Sequence, residues 1–205
     1  MMTTQDVKIV MFGCGGHSRS VIDVLLAIKP QATVTFVDEN AREGEKIYGF
    51  NVYREYSLGD SEQIFMAIGD NKARKRKLEQ IGDKNLISII SNTAHLGHDS
   101  SIEKGCFLGN FCHMGPEAVI GRNTIINTAS IIEHEVKIGA HCHIGPNATI
   151  SGRCTIGDLV FVGVGATVKD NVTICSNVVI GAGSTVVENI VKPGTYLGIP
   201  ARRIK

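Results

Sequence analysis

The chain has 205 residues, with 21 Lys and Arg against 20 Asp and Glu, 23 glycines and only 11 aromatic residues. Its 25 Ile and 19 Val against 9 Leu invert the usual aliphatic balance and favour strands, because β-branched side chains are stiff at χ1. This argues against a helical bundle, near-neutral charge argues against a dedicated nucleic-acid binder, and no apolar run reaches the ~18 residues of a membrane span.

Met1–Lys8 has no basic region ahead of an apolar signal segment. The six cysteines are therefore read as reduced thiols of a cytoplasmic protein. Val7–Phe12 predicts a first strand. Gly13-Cys14-Gly15-Gly16-His17-Ser18 follows and leads into a helix that places Val21, Ile22, Leu25, Leu26 and Ile28 on one broad face, with Pro30 just beyond. Thr33–Val37 predicts a second strand ending in Asp38. Ile64–Ile68 predicts a third, running into Gly69-Asp70-Asn71, and Ala73–Ile81 a second helix. Leu86–Ile90 predicts a fourth strand. Strands alternating with helices point to a small Rossmann-like parallel α/β sheet.

The glycine turn sits between strand and helix, where glycine lets backbone approach an anion at a helix N-terminus. It departs from G-x-G-x-x-G, since Ser18 stands at the third glycine position. Asp38 follows Gly13 at close to the spacing of a ribose-binding acid. About 90 residues cannot build both mononucleotide halves of a dinucleotide fold, which favours a nucleotide or nucleotide sugar over NAD. A structural turn without ligand is the alternative. The charge run Lys72–Lys77 carries no interleaved aromatic residue and reads as a solvated helix face, with Arg74 able to reach a phosphate.

From Leu96 the pattern changes to a strict period of six. Leu96, Ile102, Leu108, Met114, Ile120, Ile126, Ile132, Ile138, Ile144, Ile150, Ile156, Val162, Val168, Ile174, Ile180 and Val186 lead 16 consecutive hexapeptides. The second position is Gly in nine of them, and the fifth is small or β-branched throughout. Such a period fits a chain coiled into a triangular prism, three hexapeptides to a coil. Lead and fifth-position residues then fill the interior, and the glycines are expected to supply the corner conformations. Cys106, Cys112, Cys142 and Cys154 all fall at fifth positions, so they read as small interior packing groups. The chain is thus expected to hold an α/β domain over residues 1–90, a parallel β-helix over 91–191 and a tail over 192–205.

The hexapeptide Ile132-Glu133-His134-Glu135-Val136-Lys137 breaks the local style. A corner imidazole beside a carboxylate has its tautomer fixed and its conjugate acid stabilised, as a general base requires; a solvated polar corner is the plain alternative. His95 and His113 lie one coil apart in the count and are expected to stack. His134, His141 and His143 lack the His-x-x-x-x-His spacing of the trimeric β-helix carbonic anhydrases, so no metal is expected.

The markers Val10-Met11-Phe12-Gly13-Cys14-Gly15-Gly16-His17-Ser18, Phe36-Val37-Asp38, Ala67-Ile68-Gly69-Asp70-Asn71, Asn127-Thr128-Ala129-Ser130-Ile131-Ile132-Glu133-His134-Glu135 and Gly198-Ile199-Pro200-Ala201 carry a resemblance over essentially the whole chain. It resembles the bacterial acetyl-CoA-dependent sugar acetyltransferases that join a nucleotide-sugar-binding α/β domain to a left-handed β-helix. That family includes N-acetyltransferases of nucleotide-linked 4-amino sugars and sialic-acid O-acetyltransferase-like proteins. The resemblance implies His134 as general base and Glu135 as the group that orients it. It implies His143 at the acetyl-CoA site near the thioester, with Val164 and Ala182 offering backbone contacts to pantetheine, although Ala182 stands where some members have Gly. Gly15, Gly16, His17, Asp38 and Gly69 would line the nucleotide-sugar pocket and Asn127 would face the sugar. It also implies a homotrimer with sites between neighbouring prisms.

The leading expectation is N-acetylation of a nucleotide-linked (UDP, dTDP or GDP) 4-amino-deoxy sugar for surface glycan synthesis, with neither membrane nor nucleic acid as partner. O-acetylation of a sialic or related nonulosonic acid is the nearest alternative. A non-catalytic nucleotide-sugar-binding trimer is the second.

Overall fold

The computed structural model describes residues 8–204; Met1–Val7, on which part of the first-strand and leader readings falls, and Lys205 lie outside the described residues. Strand β1 (Lys8–Phe12) leads through the glycine turn into α1 (Gly16–Ile28), followed by β2 (Thr33–Val37), β3 (Lys46–Ile47), β4 (Phe50–Tyr53), β5 (Gln63–Met66) and α2 (Asn71–Ile81). The sheet order is β3-β4-β2-β1-β5. β1 lies parallel to both β2 and β5, and β2 parallel to β4. Their C-terminal ends therefore share one edge, where ligands of open parallel sheets bind.

The β3–β4 hairpin has no counterpart in the sequence reading. Tyr48 and Gly49 turn it with φ of 48° and 84°, the positive-φ pair of a two-residue hairpin, and a Tyr at the first position hid the signal. The strand expected over Leu86–Ile90 shrinks to Ile89–Ile90, with Leu86 held by a single bridge to Ile64. Helix α2 begins slightly before its expected start because Asp70 caps it, its carboxylate accepting from Ala73 N at 2.7 Å.

The second half is the parallel β-helix. Each short strand pairs with the strand three hexapeptides further along the chain, as in Ile131↔Thr149 and Ile132↔Ile150. Three stacked sheets close the prism. Lead residues from Leu108 onward are buried, as are all fifth-position residues from Cys106 onward. A fully buried Ile or Val contributes roughly 1.5–3 kcal/mol, and the interior column repeats that contribution coil after coil. Leu96, by contrast, is 42% exposed. Its strand ends its sheet, so no coil lies below it. His95 and His113 stack as expected, with ring centroids 5.1 Å apart and planes within 5°.

The corners correct one expectation. Positive φ belongs to the fourth position of the hexapeptides, as at Glu117, Asn123, Ala129, Glu135, His141 and Asn147, and not to the second-position glycines. Those glycines are there for space. A Cβ on Gly163 would lie 2.5 Å from Ala182 N, and one on Gly121 would lie 2.6 Å from Gly139 C.

Beyond the last full coil, Gly194–Leu197 extends one sheet parallel to Val178–Ile180, and Arg202–Arg203 pairs antiparallel with it. Leu197 covers Gly181 and Tyr196 packs on the interior column, so the tail closes the prism end, which would otherwise be an open edge. No helix is long and apolar enough to cross a membrane among the described residues.

The α/β unit docks on one face of the prism. The outward residues Ile89, Phe107 and Ile125 of that face are no more than 1% exposed and share a core with Val21, Ile22 and Leu25 of α1. Polar anchoring comes from α2, where the Lys72–Lys77 reading needs correction at one position. Arg74 is 1% exposed and points into the prism, so it does not reach for a phosphate. Asn71, Arg74 and Leu78, spaced i, i+3, i+7, form the buried stripe of the helix.

Gly163→Ala is expected to destabilise the fold by about 1–3 kcal/mol, the usual cost of forcing an extra carbon into a packed interior. A lowered urea midpoint against wild type is the measure; an unchanged midpoint would show that the coils can spread.

Candidate functional site

Two groups of polar side chains stand out, on different sides of the prism. The first is the His134–Glu135 corner. Glu135 has φ of 60°, which turns the chain sharply and brings its carboxylate back to the preceding imidazole. His134 Nδ1 donates to Glu135 Oε2 at 2.9 Å, and both side chains are about half exposed. That bond fixes the tautomer and leaves Nε2 with its lone pair free. The ring lies over Gly152 of the next coil, where a Cβ would approach Cε1 and Nε2 to 2.5 Å. Beside Glu135 opens a groove of about 290 Å³ lined by Glu117, Glu135, Lys137, Arg153 and Thr155.

The second group lies where the α/β unit meets the prism. His143, 9% exposed, donates from Nδ1 to Gly69 O at 3.0 Å, and its Nε2 accepts from Asn127 Nδ2 at 3.1 Å. Asn127 Oδ1 accepts from Thr128 N at 2.8 Å, which fixes the amide orientation. Burial pushes the His143 pKa down to about 4; the Gly69 carbonyl works against this shift and the Arg74 charge adds to it. His17, in the first turn of α1, sets its ring edge-on to Phe107 at 5.2 Å and tilted against His143 at 5.9 Å. Its Nε2 is shielded and unpartnered. Burial, then the neighbouring His143 and Arg74, push its pKa down to about 3.

The structure thus brings His17, Gly69, Asn127 and His143 together, although the sequence assigned them separately to sugar and coenzyme. Both His143 nitrogens are engaged within the chain. His134 and His143 are half a coil apart in the chain, so within one protomer they lie on opposite sides of the prism. Val164 and Ala182 fall on a third column, at equivalent places of successive coils, and both are exposed.

The glycine turn borders the second group. Gly13, φ 107°, is the one position where a side chain cannot stand, since a Cβ would lie 2.8 Å from Ile68 Cγ1 and 2.9 Å from Ala67 O. Gly15 and Gly16 are exposed with open space around them. Ser18 Oγ donates to Gly15 O at 2.6 Å, so the residue that broke the glycine pattern ties the turn together. Asp38 accepts from Cys14 N and Asn40 N, each at 2.9 Å. Burial pushes its pKa up, but these backbone N–H groups outweigh it and hold the carboxyl below its ordinary value. A cleft of about 250 Å³ opens here, with Gly13, Asp38, Asn40, Arg76 and Lys77 in its wall. Among the described residues no three His, Cys, Asp or Glu side chains converge as a metal site would need.

Residues 8–81 match the family model of the PglD N-terminal domain, and residues 117–152 and 153–187 match that of the bacterial transferase hexapeptide repeats. The acetyltransferase domain of PglB from Neisseria gonorrhoeae is 27% identical, with a TM-score of 0.90 over 96% of this chain and 99% of that one. Another structure of the same domain contains acetyl coenzyme A. A point variant of perosamine N-acetyltransferase from Caulobacter crescentus, in complex with CoA and GDP-perosamine, is 28% identical with a TM-score of 0.86 over 97% of each chain. An uncharacterised protein of Acanthamoeba polyphaga mimivirus is 30% identical over 123 residues, 58% of this chain. The chain spans about a quarter of the length of that curated relative. The chain thus carries a PglD N-terminal domain followed by bacterial transferase hexapeptide repeats, and it shares its fold over nearly its whole length with these acetyltransferase structures.

Two outcomes follow from this geometry. Gly152→Ala is expected to push the His134 ring off its site and break its bond to Glu135, seen as a changed Nδ1 proton resonance in a protein that still folds; an unmoved resonance would show another seat for the ring. His17 and His143 titrate near 6.5 when unfolded and at about 3 and 4 in the fold. Above about pH 6.5 both states are neutral; below it the unfolded chain takes up protons first, so stability falls as pH drops toward about 4. Urea midpoints between those limits are the check, and a flat profile would contradict the burial of these rings.

Proposed function

We propose that the chain transfers the acetyl group of acetyl-CoA to the amino group of a nucleotide-linked 4-amino-deoxy sugar, for surface glycan synthesis in the cytoplasm. The observation that carries this is the His134–Glu135 pair, half exposed at a corner, with Nδ1 engaged at 2.9 Å, which leaves Nε2 to accept a proton. The bound amine attacks the thioester carbonyl and gives its proton to Nε2, and Glu135 stabilises the imidazolium. The C–N bond forms, the tetrahedral intermediate collapses, and the C–S bond breaks with coenzyme A leaving as thiolate. The oxyanion is met by a backbone N–H, since His143 has no ring nitrogen to spare; such a donor contributes about 3 kcal/mol to transition-state stabilisation. No acyl-enzyme is needed. Burial holds the thiols of Cys106 and Cys142 up at about 11 and about 12, respectively, away from nucleophilic service.

In this reading residues 1–90 hold the nucleotide sugar through Gly15, Gly16, His17, Asp38 and Gly69, with Asn127 facing the sugar. Residues 91–191 bring acetyl-CoA and the base, Val164 and Ala182 lie along the pantetheine arm, and residues 192–205 close the prism end. The half-turn between His134 and His143 supports a homotrimer, because the base of one chain then meets the sugar held by its neighbour. The GDP-perosamine held by the Caulobacter relative supports a nucleotide sugar as acceptor.

Thiol release from acetyl-CoA, measured with UDP-, dTDP- and GDP-linked 4-amino sugars and with free sialic acids, tests the reading. Turnover is expected with an amino sugar, and His134→Ala is expected to lower kcat/KM by about 10² or more. Turnover with sialic acid alone would establish O-acetylation instead, and nucleotide binding without turnover a binding protein.

A further inference from the structure

Arg74 is a buried cation whose hydrogen-bond partners are all neutral oxygens. Nε donates to Asn123 O at 2.9 Å, and Nη1 to Ile68 O at 3.0 Å and Gly69 O at 3.2 Å. Nη2 donates to Asn71 Oδ1 at 2.8 Å, His141 O at 3.0 Å and Cys142 O at 2.8 Å. The fork thus clamps the loop after β5 to two successive coils. One of its acceptors, Gly69 O, is also the atom to which His143 donates, and two others are the carbonyls just before His143 in the chain.

We propose that Arg74 is a positioning residue for acetyl transfer: by clamping Gly69 and the backbone ahead of His143, it holds the Gly69 carbonyl on Nδ1, so that Nε2 is left to accept from Asn127, whose amide, held on its other side by Thr128 N, faces the acceptor sugar. The inference rests on the reading of Asn127 as a sugar-facing group. A carbonyl can only accept, so Gly69 O fixes the proton on Nδ1. Burial is the main force against a second proton on the ring, and the Arg74 charge adds to it. With Nε2 reserved as acceptor, Asn127 must present Nδ2 to it, and the second Nδ2 proton is left for a ligand oxygen. The ionisable groups around His143 are His17 on α1, Arg74 on α2 and the Cys142 thiol beside it in the chain, with Asp70 at the head of α2. His17 is held neutral at about 3, and Cys142 is neutral with its thiol at about 12. This leaves Arg74 as the cation that acts on the ring.

Uniform ¹⁵N-histidine labelling reads the ring directly. In wild type, His143 is expected as a single Nδ1–H tautomer that does not titrate between about pH 5 and 8. In Arg74→Gln the ring is expected to show mixed tautomers, because the Gly69 carbonyl is no longer held against Nδ1. KM for the amino sugar should rise about tenfold, while KM for acetyl-CoA stays within about twofold, the pattern of a lost sugar-binding contact. In Asn127→Ala, a half-buried site, the Nδ1–H tautomer should persist, because its anchor is on the other side of the ring. A titrating or Nε2–H ring in wild type overturns the proposal without any variant. So does an unchanged ring in folded Arg74→Gln, or a scrambled one in Asn127→Ala. If no amino sugar is turned over by wild type, the functional reading fails, while the ring spectra still decide what Arg74 does to His143.

Discussion

Pairing of each residue with its equivalent three hexapeptides on is the constraint on which the rest of the molecule depends. Once the coils stack in that register, a residue's place in the count decides which side of the prism it occupies and whether it points in or out. The interior needs only small and aliphatic side chains of fixed volume, which explains the aliphatic bias and the scarcity of rings. The outward columns are free to differ. One is apolar and covered, one carries the paired imidazoles and a run of threonines, and one corner carries the His134–Glu135 pair. Function is written on the columns and stability inside them.

The covered column joins the two halves. Ile89, Phe107 and Ile125 would be an exposed apolar stripe if the α/β unit were absent, and their burial against α1 supplies the nonspecific part of the docking. The specific part is polar and depends on backbone oxygens. A buried guanidinium without a carboxylate carries a large desolvation cost, offset here because every N–H of Arg74 meets an oxygen. Lys could not replace that planar fork. The arrangement also explains why the turn before α2 is so closely defined. Ile68, Gly69 and Asp70 answer at once to the fork, to His143 and to the helix cap.

The prism was legible in the sequence to the residue, because its period repeats 16 times without a slip and each coil enforces the next. The α/β elements were legible to within a few residues, except the β3–β4 hairpin, whose Tyr48–Gly49 turn carries only half of the usual signature. The His134–Glu135 pair was legible because it breaks the repeat. Arg74 was not, since a cation within a mostly basic run looks solvated by composition. Its helical phase with Asn71 and Leu78 was the available clue. Nor could the role of the second-position glycines be read correctly. Sequence shows that a side chain is missing, but whether the backbone needed freedom or space depends on how near the next coil lies.

The stacking register has a further consequence for how such a chain can change length. Adding or removing three hexapeptides together inserts or deletes one whole coil and leaves every downstream column on its own side. A lone hexapeptide, although it preserves the local repeat perfectly, rotates everything after it by one third of a turn. Inserted between His134 and the Val164–Ala182 column, it would carry that column to another face while leaving the interior packing untouched. The molecule is therefore tolerant of growth only in whole coils, and a misplaced hexapeptide would turn the two corner columns a third of a turn apart in a chain that still folds.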